Sequence, residues 1–286
     1  MLKRALKHAS RVSDVLFRTI RLEREITVYP DDIFLTSYPR SGNTWTRFLV
    51  GNLIYVDEPM TFLNLEQRVP DMYVHADREM RALPRPRVIK SHECFEPRYK
   101  TIVYIVRDPR DVAISNYHWE MKKGSFPEGF PMEDFVPRWM ESLYWPRLGC
   151  WGDHVTSWLS TREEHSGFLV VRYEDLLADP LQELAKIARL LGIEPTPERL
   201  NRAIELSSAD RMRQLESDQA GKWVQTKYTR QDKPFVRKAD SGGWRAVLPP
   251  PSVRLIEATW GHLMQHFGYE LTTVPAIERE LSHAQK

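Results

Sequence analysis

A short polar stretch, residues 38–45, holds the groups of this sequence best suited to bind an anion. It reads Tyr-Pro-Arg-Ser-Gly-Asn-Thr-Trp and offers one guanidinium, from Arg40, and a backbone freed by Gly42. Its other hydrogen-bonding side chains are those of Ser41, Asn43 and Thr44. Apolar residues of strand type precede it and apolar residues at helical spacing follow it, so unpaired N–H groups and a positive helix end can face a ligand. The pattern predicts either a phosphate-type cradle, without the G-x-x-x-x-G-K-S/T spacing of nucleoside triphosphate loops, or an ordinary polar turn.

A second arginine, Arg107, follows an apolar run at residues 102–106 that has the length of a buried parallel strand. Ser115 and Trp119 are four residues apart and would share one face of the helix after this strand. Ligands of open α/β sheets bind outside the carboxyl ends of the strands. We therefore expect Arg107 and Arg40 to lie at the same edge of a sheet.

Lys90 and His92 follow a third, shorter apolar segment, at residues 88–89. A lone histidine is most often a surface residue or a hydrogen-bonded buried one. A histidine directly after a strand, in a chain with arginines at two other strand ends, is a candidate general base, because imidazole titrates near neutral pH.

These segments resemble the sulfotransferases that use 3′-phosphoadenosine 5′-phosphosulfate (PAPS), most closely the soluble cytosolic type. Residues 38–45 resemble the family's 5′-phosphosulfate loop, residues 107–115 its 3′-phosphate motif, and residues 90–92 its catalytic K-T-H. Tyr-Glu-Asp-Leu at 173–176 and Phe-Val-Arg-Lys-Ala-Asp-Ser-Gly-Gly-Trp at 235–244 resemble two further family segments. The five matches occur in the family's order over most of the chain.

The resemblance implies an α/β fold, with a central, mainly parallel sheet flanked by helices and a P-loop-like phosphosulfate loop. One domain would cover residues 1–286. The implied reaction is in-line transfer of a sulfuryl group from PAPS to a hydroxyl, or an amine, of an acceptor. Adenosine 3′,5′-bisphosphate (PAP) is the implied product, and no metal is expected. The acceptor would be a small molecule, a lipid or a carbohydrate, and the enzyme would be cytoplasmic.

The resemblance also implies a role for individual residues. His92 would be the general base, with Arg40 and Lys90 completing the catalytic set. The 5′-phosphosulfate would be held by Arg40, Ser41, Gly42, Asn43 and Thr44, and the 3′-phosphate by Arg107, Ser115, Arg237 and Lys238. Trp45, Tyr173 and Ser207 would contact the adenine. Fixed cations would stabilise the charge that develops on the leaving phosphate.

Three positions depart from the family's pattern. Arg40 stands where the cytosolic type usually has lysine, and an arginine can stabilise charge but is a poor proton donor. Ala239 replaces a glycine, and its Cβ would obstruct the backbone if this position needs φ > 0. Ala209 stands where many relatives have an aromatic residue, so one stacking face is either missing or supplied by Trp223 or Phe235.

Composition agrees with one globular unit of this kind. A chain of 286 residues with 42% hydrophobic content can bury a substantial core. A formal net charge of +2 gives no reason to expect a nucleic-acid partner. The two cysteines, Cys94 and Cys150, are too few for a disulfide framework and fit a reducing compartment.

Four regions outside the motifs have structural or functional interpretations. Residues 1–27 form a basic extension, and within it residues 1–25 predict a helix that either packs on the protein or contacts an anionic membrane surface. Residues 55–86 are interpreted as helix and loop near the acceptor. The aromatic-rich segment 120–150 is either a wall of the acceptor pocket or a buried insertion. Residues 217–243 are predicted to be a mobile loop that covers the nucleotide.

Two other functional classes stay open at this point. A P-loop kinase is disfavoured because the Walker lysine pattern and an acidic Mg²⁺ signature are missing. A non-catalytic nucleotide-binding descendant of the enzyme is the second. Oligomeric state is also open, because Pro249–Pro251 interrupt the segment where the family's dimer motif would stand.

Overall fold

The computed structural model describes residues 26–273. Residues 1–25, with their predicted helix and its alternative contacts, lie outside the described residues. No helix within the described range has the length and apolar character needed to cross a membrane.

Four parallel strands form the sheet of the described region: β1 Ile33–Ser37, β2 Val88–Ser91, β3 Thr101–Val106 and β4 Phe168–Arg172, in the order β2-β1-β3-β4. Nearly all of their residues are buried or half-buried, as continuous apolar runs of parallel strands require. The predicted α/β fold with a mainly parallel sheet is confirmed.

The strand order places a switch point between β1 and β3. From β1 the chain passes to β2 on one side, and then crosses to β3 on the other side of β1. Loops that leave the carboxyl ends of two such neighbours diverge, and the crevice between them is the usual ligand site of open α/β sheets. Arg40 and Arg107 follow these two strands.

Helices cover both faces of this sheet. They are α1 Asn43–Ile54, α2 Leu65–Arg68, α3 Asp77–Arg81, α4 Pro109–Lys123, α5 Met132–Met140, α6 Trp151–Arg162, α7 Tyr173–Ala178, α8 Pro180–Leu190, α9 Pro197–Leu206, α10 Ala209–Gln219, α11 Trp244–Val247 and α12 Pro250–His266. Helices α8 and α12 both turn an apolar face to the core.

Alternation along the strands creates a separate core on each face. Phe34 packs into the cluster that includes Tyr104 and Trp158, while the next residue, Leu35, packs into the cluster that includes Phe48. Burying one such side chain fully contributes roughly 1.5–3 kcal/mol. The two cores fix the sheet rigidly, so the loops at its carboxyl edge start from defined positions.

Side-chain caps begin two helices near the site, α4 and α10, whereas α1 begins after Gly42 without one. The carboxylate of Asp108 accepts a hydrogen bond from the backbone N–H of Arg110, and Pro109 occupies the first turn of α4. Ser208 caps α10 in the same way by accepting from the N–H of Arg211. Gly124, with φ 78°, ends α4 in the left-handed conformation.

Candidate active site

A cavity of about 760 Å³ opens at the carboxyl edge of the sheet. Residues that follow all four strands line it: Arg40 after β1, Lys90 and His92 at the end of β2, Arg107 after β3 and Tyr173 after β4. Arg237 and Lys238, from the segment after α10, line the same cavity. The structure therefore brings Arg40, Arg107 and Lys238 together, as the sequence predicted.

The loop after β1 has a backbone that few sequences could adopt. Arg40 and Gly42 have φ values of 71° and 100°. A Cβ at Gly42 would lie 2.5 Å from the ring of Tyr173, which is far inside contact distance. Asn43 fastens the loop to the sheet, because its Nδ2 donates to the carbonyl of Leu35 at 2.9 Å and to Oγ of Ser37 at 3.2 Å.

The side chain of Arg40 is held by the two residues that were predicted to share a helix face. Its Nε donates to Oγ of Ser115 at 3.2 Å, and its guanidinium lies 5.1 Å from the ring centroid of Trp119. On its other side the guanidinium lies 4.6 Å from the ring of Phe235. Burial, and then the positive charges of Arg107 and Arg237, lower the pKa of Arg40 to about 9. A group in this setting is still charged at neutral pH and is stabilised by an anion.

Arg107 is positioned by contacts that leave part of its guanidinium unused. Its Nη2 donates to the carbonyl of Asp240 at 2.9 Å, and its guanidinium lies 4.2 Å from the ring of Tyr173. Its Nε is buried and has no hydrogen-bond partner within residues 26–273. A buried donor of this kind costs free energy unless a ligand pairs with it.

The segment that carries Arg237 and Lys238 is fastened by its backbone. The guanidinium of Arg213 donates to the carbonyls of Arg237, at 3.1 and 2.9 Å, and of Lys238, at 3.0 Å. The carboxylate of Asp111 accepts from the N–H groups of Gly242, at 2.7 Å, and Trp244, at 3.0 Å. Burial is the main cause that lowers the pKa of Arg237. Within residues 26–273 neither cationic side chain forms an ion pair, so the backbone of the loop sets their positions.

Ala239 adopts the left-handed conformation, with φ 55°. The family that the sequence resembles has glycine at this position. Because φ is positive here, the Cβ of Ala239 stands where it would obstruct the backbone. A non-glycine residue in this conformation costs roughly 1–2 kcal/mol. The strained residue lies directly after the two cations, on the wall of the cavity.

Trp45, in the first turn of α1, lines the cavity and donates from Nε1 to the carbonyl of Ser207 at 3.0 Å. Ser207 itself is fully buried, and its Oγ accepts from Nδ2 of Asn52 at 3.0 Å. Ser207 and the buried Ser41 do not line the cavity, so nucleotide contacts by their side chains stay predictions. Thr44 does line it.

The wall near Ala209 also contains Met212, Trp223 and Phe235. The rings of Trp223 and Phe235 meet edge to face, with centroids 5.0 Å apart. Both residues suggested as substitutes for the missing aromatic side chain therefore reach the cavity. Which of them stacks on an adenine stays a prediction.

His92 has hydrogen bonds that define its tautomer. Nδ1 lies 2.7 Å from the carbonyl of Ser37, so Nδ1 carries the proton and donates it, which leaves Nε2 as an acceptor. The ring stacks at 13° on that of Tyr73, and the backbone N–H of His92 donates to the hydroxyl of Tyr73 at 3.0 Å. Burial, and then the charge of Lys90, hold the pKa of His92 well below its usual value. The imidazole is therefore neutral and able to accept a proton.

A second histidine, which no sequence motif singles out, supports this segment from behind. His154 is fully buried; its Nε2 donates to the carbonyl of His92 at 3.1 Å, and its Nδ1 accepts from the hydroxyl of Tyr104 at 2.9 Å. Burial lowers the pKa of His154 to about 4. It lies in the middle of α6, where no local motif marks it.

Lys90, beside His92, forms an ion pair with Asp71, with Nζ 2.5 Å from Oδ2. Gln225 donates from Nε2 to the same oxygen at 2.7 Å. Neither Asp71 nor Gln225 was among the predicted site residues, although Asp71 belongs to the segment 55–86 that was placed near the acceptor.

Each of the two interpretations of the aromatic segment 120–150 applies to part of it. Phe135 and Trp139, from α5, are buried in the core, whereas Tyr144 and Trp145 line the cavity. Trp145 donates from Nε1 to Oδ1 of Asn116 at 3.0 Å, which joins this wall to α4. Among the residues that the structure describes, no group of three or more His, Cys, Asp and Glu side chains could hold a metal ion.

Comparison with known proteins gives a consistent result. A family model described as "Sulfotransferase domain" matches residues 30–268. Sulfotransferase 1B1 of Canis lupus familiaris is 29% identical over 236 residues, which is 76% of this chain and 77% of that protein. Sulfotransferase 1E1 of Mus musculus is 26% identical over 259 residues, 82% of this chain and 86% of that protein.

Two solved structures share the fold. Retinol dehydratase in a complex with retinol and PAP gives a TM-score of 0.72 at 21% identity, over 88% of this chain and 85% of that chain. Mouse sulfotransferase SULT7A1 complexed with PAP gives a TM-score of 0.66 at 23% identity, over 84% of this chain and 85% of that chain. At these identities the likeness shows the fold alone.

Proposed function

This chain belongs to the sulfotransferase family and is a PAPS-dependent sulfotransferase, and from that premise we propose that His92 is the general base of an in-line sulfuryl transfer to a hydroxyl, or an amine. One observation carries the proposal. A single cavity joins a cluster of cations at one end to a neutral histidine with a free ring nitrogen at the other. The cations are those of Arg40, Arg107, Arg237 and Lys238.

The cationic end fits a nucleotide with two anionic groups. Arg107 has a buried Nε without a partner in the described chain, and burial, followed by the charges of Arg107 and Arg237, lowers the pKa of Arg40. Both features are relieved when an anion binds. We assign Arg40 and the loop around it to the phosphosulfate, and Arg107, Ser115, Arg237 and Lys238 to the 3′-phosphate. These contacts mainly supply binding and orientation.

His92 supplies proton transfer at the other end. Its Nε2 is an acceptor because Nδ1 donates to Ser37, and its lowered pKa keeps the ring neutral at pH 7. It can take the proton from an acceptor hydroxyl as the oxygen attacks sulfur. A positioned general base typically contributes roughly 10²–10⁴-fold in rate.

Arg40 is assigned to charge stabilisation and not to proton donation. A guanidinium stays protonated at working pH, so the leaving phosphate oxygen would depart as an anion paired with Arg40. The contacts with Ser115, Trp119 and Phe235 hold the group in place before a ligand arrives. A preorganised cation needs little rearrangement during the reaction.

We propose that the acceptor is a small molecule with a hydroxyl group. One structural neighbour, retinol dehydratase, was solved with small molecules of this kind, androsterone and retinol. In this chain Tyr73, Tyr144 and Trp145 provide aromatic surface on the cavity wall, which suits a ring or an extended apolar acceptor and also a stacked sugar. A lipid or carbohydrate acceptor stays a prediction, as does a cytoplasmic location.

The proposal is tested with PAPS that carries a ³⁵S label, an acceptor library of phenols, sterols, retinoids, sugars and amines, and mass detection of the sulfated product. Calorimetry with PAP measures nucleotide binding separately. Transfer together with PAP binding supports the proposal. PAP binding without transfer to any acceptor indicates a nucleotide-binding protein without catalysis, and a requirement for Mg²⁺ and ATP indicates a kinase.

A further inference from the structure

Asp71, Lys90 and Gln225 form a polar cluster at the His92 end of the cavity, and all three residues line it. Lys90 lies on β2, Asp71 lies between α2 and α3, and Gln225 lies in the segment after α10. Asp71 and Lys90 are also paired through an isolated parallel bridge of their backbones. Three separate parts of the chain therefore converge beside the proposed base.

The hydrogen bonds of this cluster leave the ammonium of Lys90 only partly used. Oδ2 of Asp71 accepts from Lys90 at 2.5 Å and from Gln225 at 2.7 Å, while Oδ1 accepts from the N–H of Tyr73 at 3.0 Å. An ammonium has three donors, and that of Lys90 makes one hydrogen bond within residues 26–273. The remaining donors can serve a ligand in the cavity.

Asp71 is the carboxylate that hydrogen-bonds Lys90 within residues 26–273. Only 8% of Lys90 and 1% of Asp71 is exposed, so water does little to stabilise either charge. The ring of Tyr73, with its centroid 5.9 Å from Nζ, and the imidazole of His92 also lie near Lys90. Neither of these can replace a full negative charge. A buried charge that loses its partner is strongly disfavoured.

On the basis of the proposed function, we propose that Asp71 is a positioning residue for Lys90: its carboxylate fixes the ammonium beside His92 and keeps it charged when an acceptor displaces water from the cavity. Lys90 then stabilises negative charge on the transferring sulfuryl group and keeps its own proton. His92 takes the acceptor's proton, the acceptor oxygen forms a bond to sulfur, and the bond from sulfur to the phosphate oxygen breaks with its electron pair on that oxygen.

The first test is Asp71→Asn, which keeps the shape and an oxygen for the N–H of Tyr73 but removes the charge. We expect kcat at pH 8 to fall at least 10-fold, with the Kd of PAP changed less than twofold. We also expect the alkaline limb of the kcat profile to move at least one pH unit lower. A role in folding alone would lower kcat equally at every pH. Asp57→Asn, at an exposed position, is the matched control and should leave the profile unchanged.

The second test is a double-mutant cycle with Lys90→Met. If Asp71 acts through Lys90, adding Asp71→Asn to Lys90→Met should change kcat less than twofold. The proposal would be overturned if Asp71→Asn lowered kcat by the same factor in Lys90→Met as in the unaltered protein. An unchanged kcat in Lys90→Met would overturn it as well.

A third measurement does not depend on transfer. Trace acetylation of the PAP-bound protein, followed by peptide mass spectrometry, reports the pH at which the amine of Lys90 becomes reactive. We expect the midpoint to fall by at least one pH unit in Asp71→Asn, and an unchanged midpoint would overturn the proposal. Failure of the proposed function would appear separately, as an absence of PAP binding or of transfer by the unaltered protein.

Discussion

Gly42 lies so close to Tyr173 that a Cβ on Gly42 would stand 2.5 Å from the tyrosine ring. The contact joins the loop after β1 to the residue that follows β4, at opposite sides of the switch point. The ring centroid of Tyr173 in turn lies 4.2 Å from Cζ of Arg107. Space at one glycine therefore affects the position of an arginine that follows another strand.

Gly42→Ala should therefore damage both stability and binding. Positive φ costs about 1–2 kcal/mol and the overpacking about 1–3 kcal/mol more, so we expect the free energy of unfolding to fall by about 2–5 kcal/mol. The Kd of PAP should rise at least tenfold. Gly124→Ala is the matched control, because Gly124 has φ +78° and nothing within 4 Å of its added Cβ. It should show the strain alone, with PAP affinity unchanged.

Arg107→Ala should weaken PAP binding far more than it weakens the fold. A hydrogen bond to a charged group is worth roughly 1.5–3 kcal/mol, so losing one raises the Kd about 10–150-fold. Calorimetry measures this change, and the melting temperature without ligand should fall only slightly. The control is Arg254→Ala, on the exposed face of α12. Equal losses of affinity in the two variants would contradict the assignment.

Ala239→Gly should increase the stability of the protein. Removing the Cβ relieves the left-handed strain at φ 55°, and we expect a gain of about 1 kcal/mol in the free energy of unfolding. The Kd of PAP should fall or stay the same. Ala258→Gly, at an exposed position within α12, should instead cost about 1 kcal/mol. The opposite signs of two identical substitutions distinguish backbone strain from a general effect of glycine.

His92→Ala should abolish turnover while PAP binding survives. The loss of a general base predicts a decrease of about 10²–10⁴-fold in kcat. His165→Ala, at an exposed position before β4, is the matched control and should keep full activity. A folded His92→Ala protein with full activity would remove the base assignment and leave the nucleotide site intact.

The stability of the protein should fall as the pH falls below about 6.5, the ordinary pKa of histidine. Burial lowers the pKa of His154 to about 4, so below pH 6.5 the unfolded chain binds a proton that the folded chain excludes. His92 has a shift in the same direction. The free energy of unfolding therefore rises with pH over this window, by roughly 3 kcal/mol for His154.

Denaturant unfolding at pH 4.5 and pH 7 measures this dependence, and His154→Gln should flatten it. A variant with the same slope as the unaltered protein would show that other groups cause the dependence. His165→Gln, at an exposed position, serves as the control and should leave the slope unchanged.

The approach of Arg40 and Arg107 could be predicted because it follows from local patterns, whereas Arg237 and Lys238 were expected there only from the resemblance to the family. Apolar runs of strand length identify β1 and β3, and parallel strands present their carboxyl ends at one edge, so Arg40 and Arg107 had to meet. The four-residue spacing of Ser115 and Trp119 likewise predicted a shared face, and both side chains contact Arg40.

The acceptor end could not be predicted in the same way. The hydrogen bonds of Lys90 to Asp71, Gln225 to Asp71 and His154 to His92 join residues 19, 154 and 62 positions apart. No periodicity or turn signal relates such positions, because their approach depends on how helices and loops pack over the sheet. A carboxylate in a charged surface segment looks like a solvated group until the fold buries it.

The gathering of cations around Arg40 has a consequence for the protein in its natural surroundings. Like charges in one cleft repel one another, and this repulsion contributes to the lowered pKa values of Arg40 and Arg237. We expect inorganic phosphate and sulfate to relieve the same repulsion with fewer contacts, so at high concentrations of these ions they should compete with the nucleotide for the site. The apparent affinity for the nucleotide should then depend on how well it displaces these smaller ions.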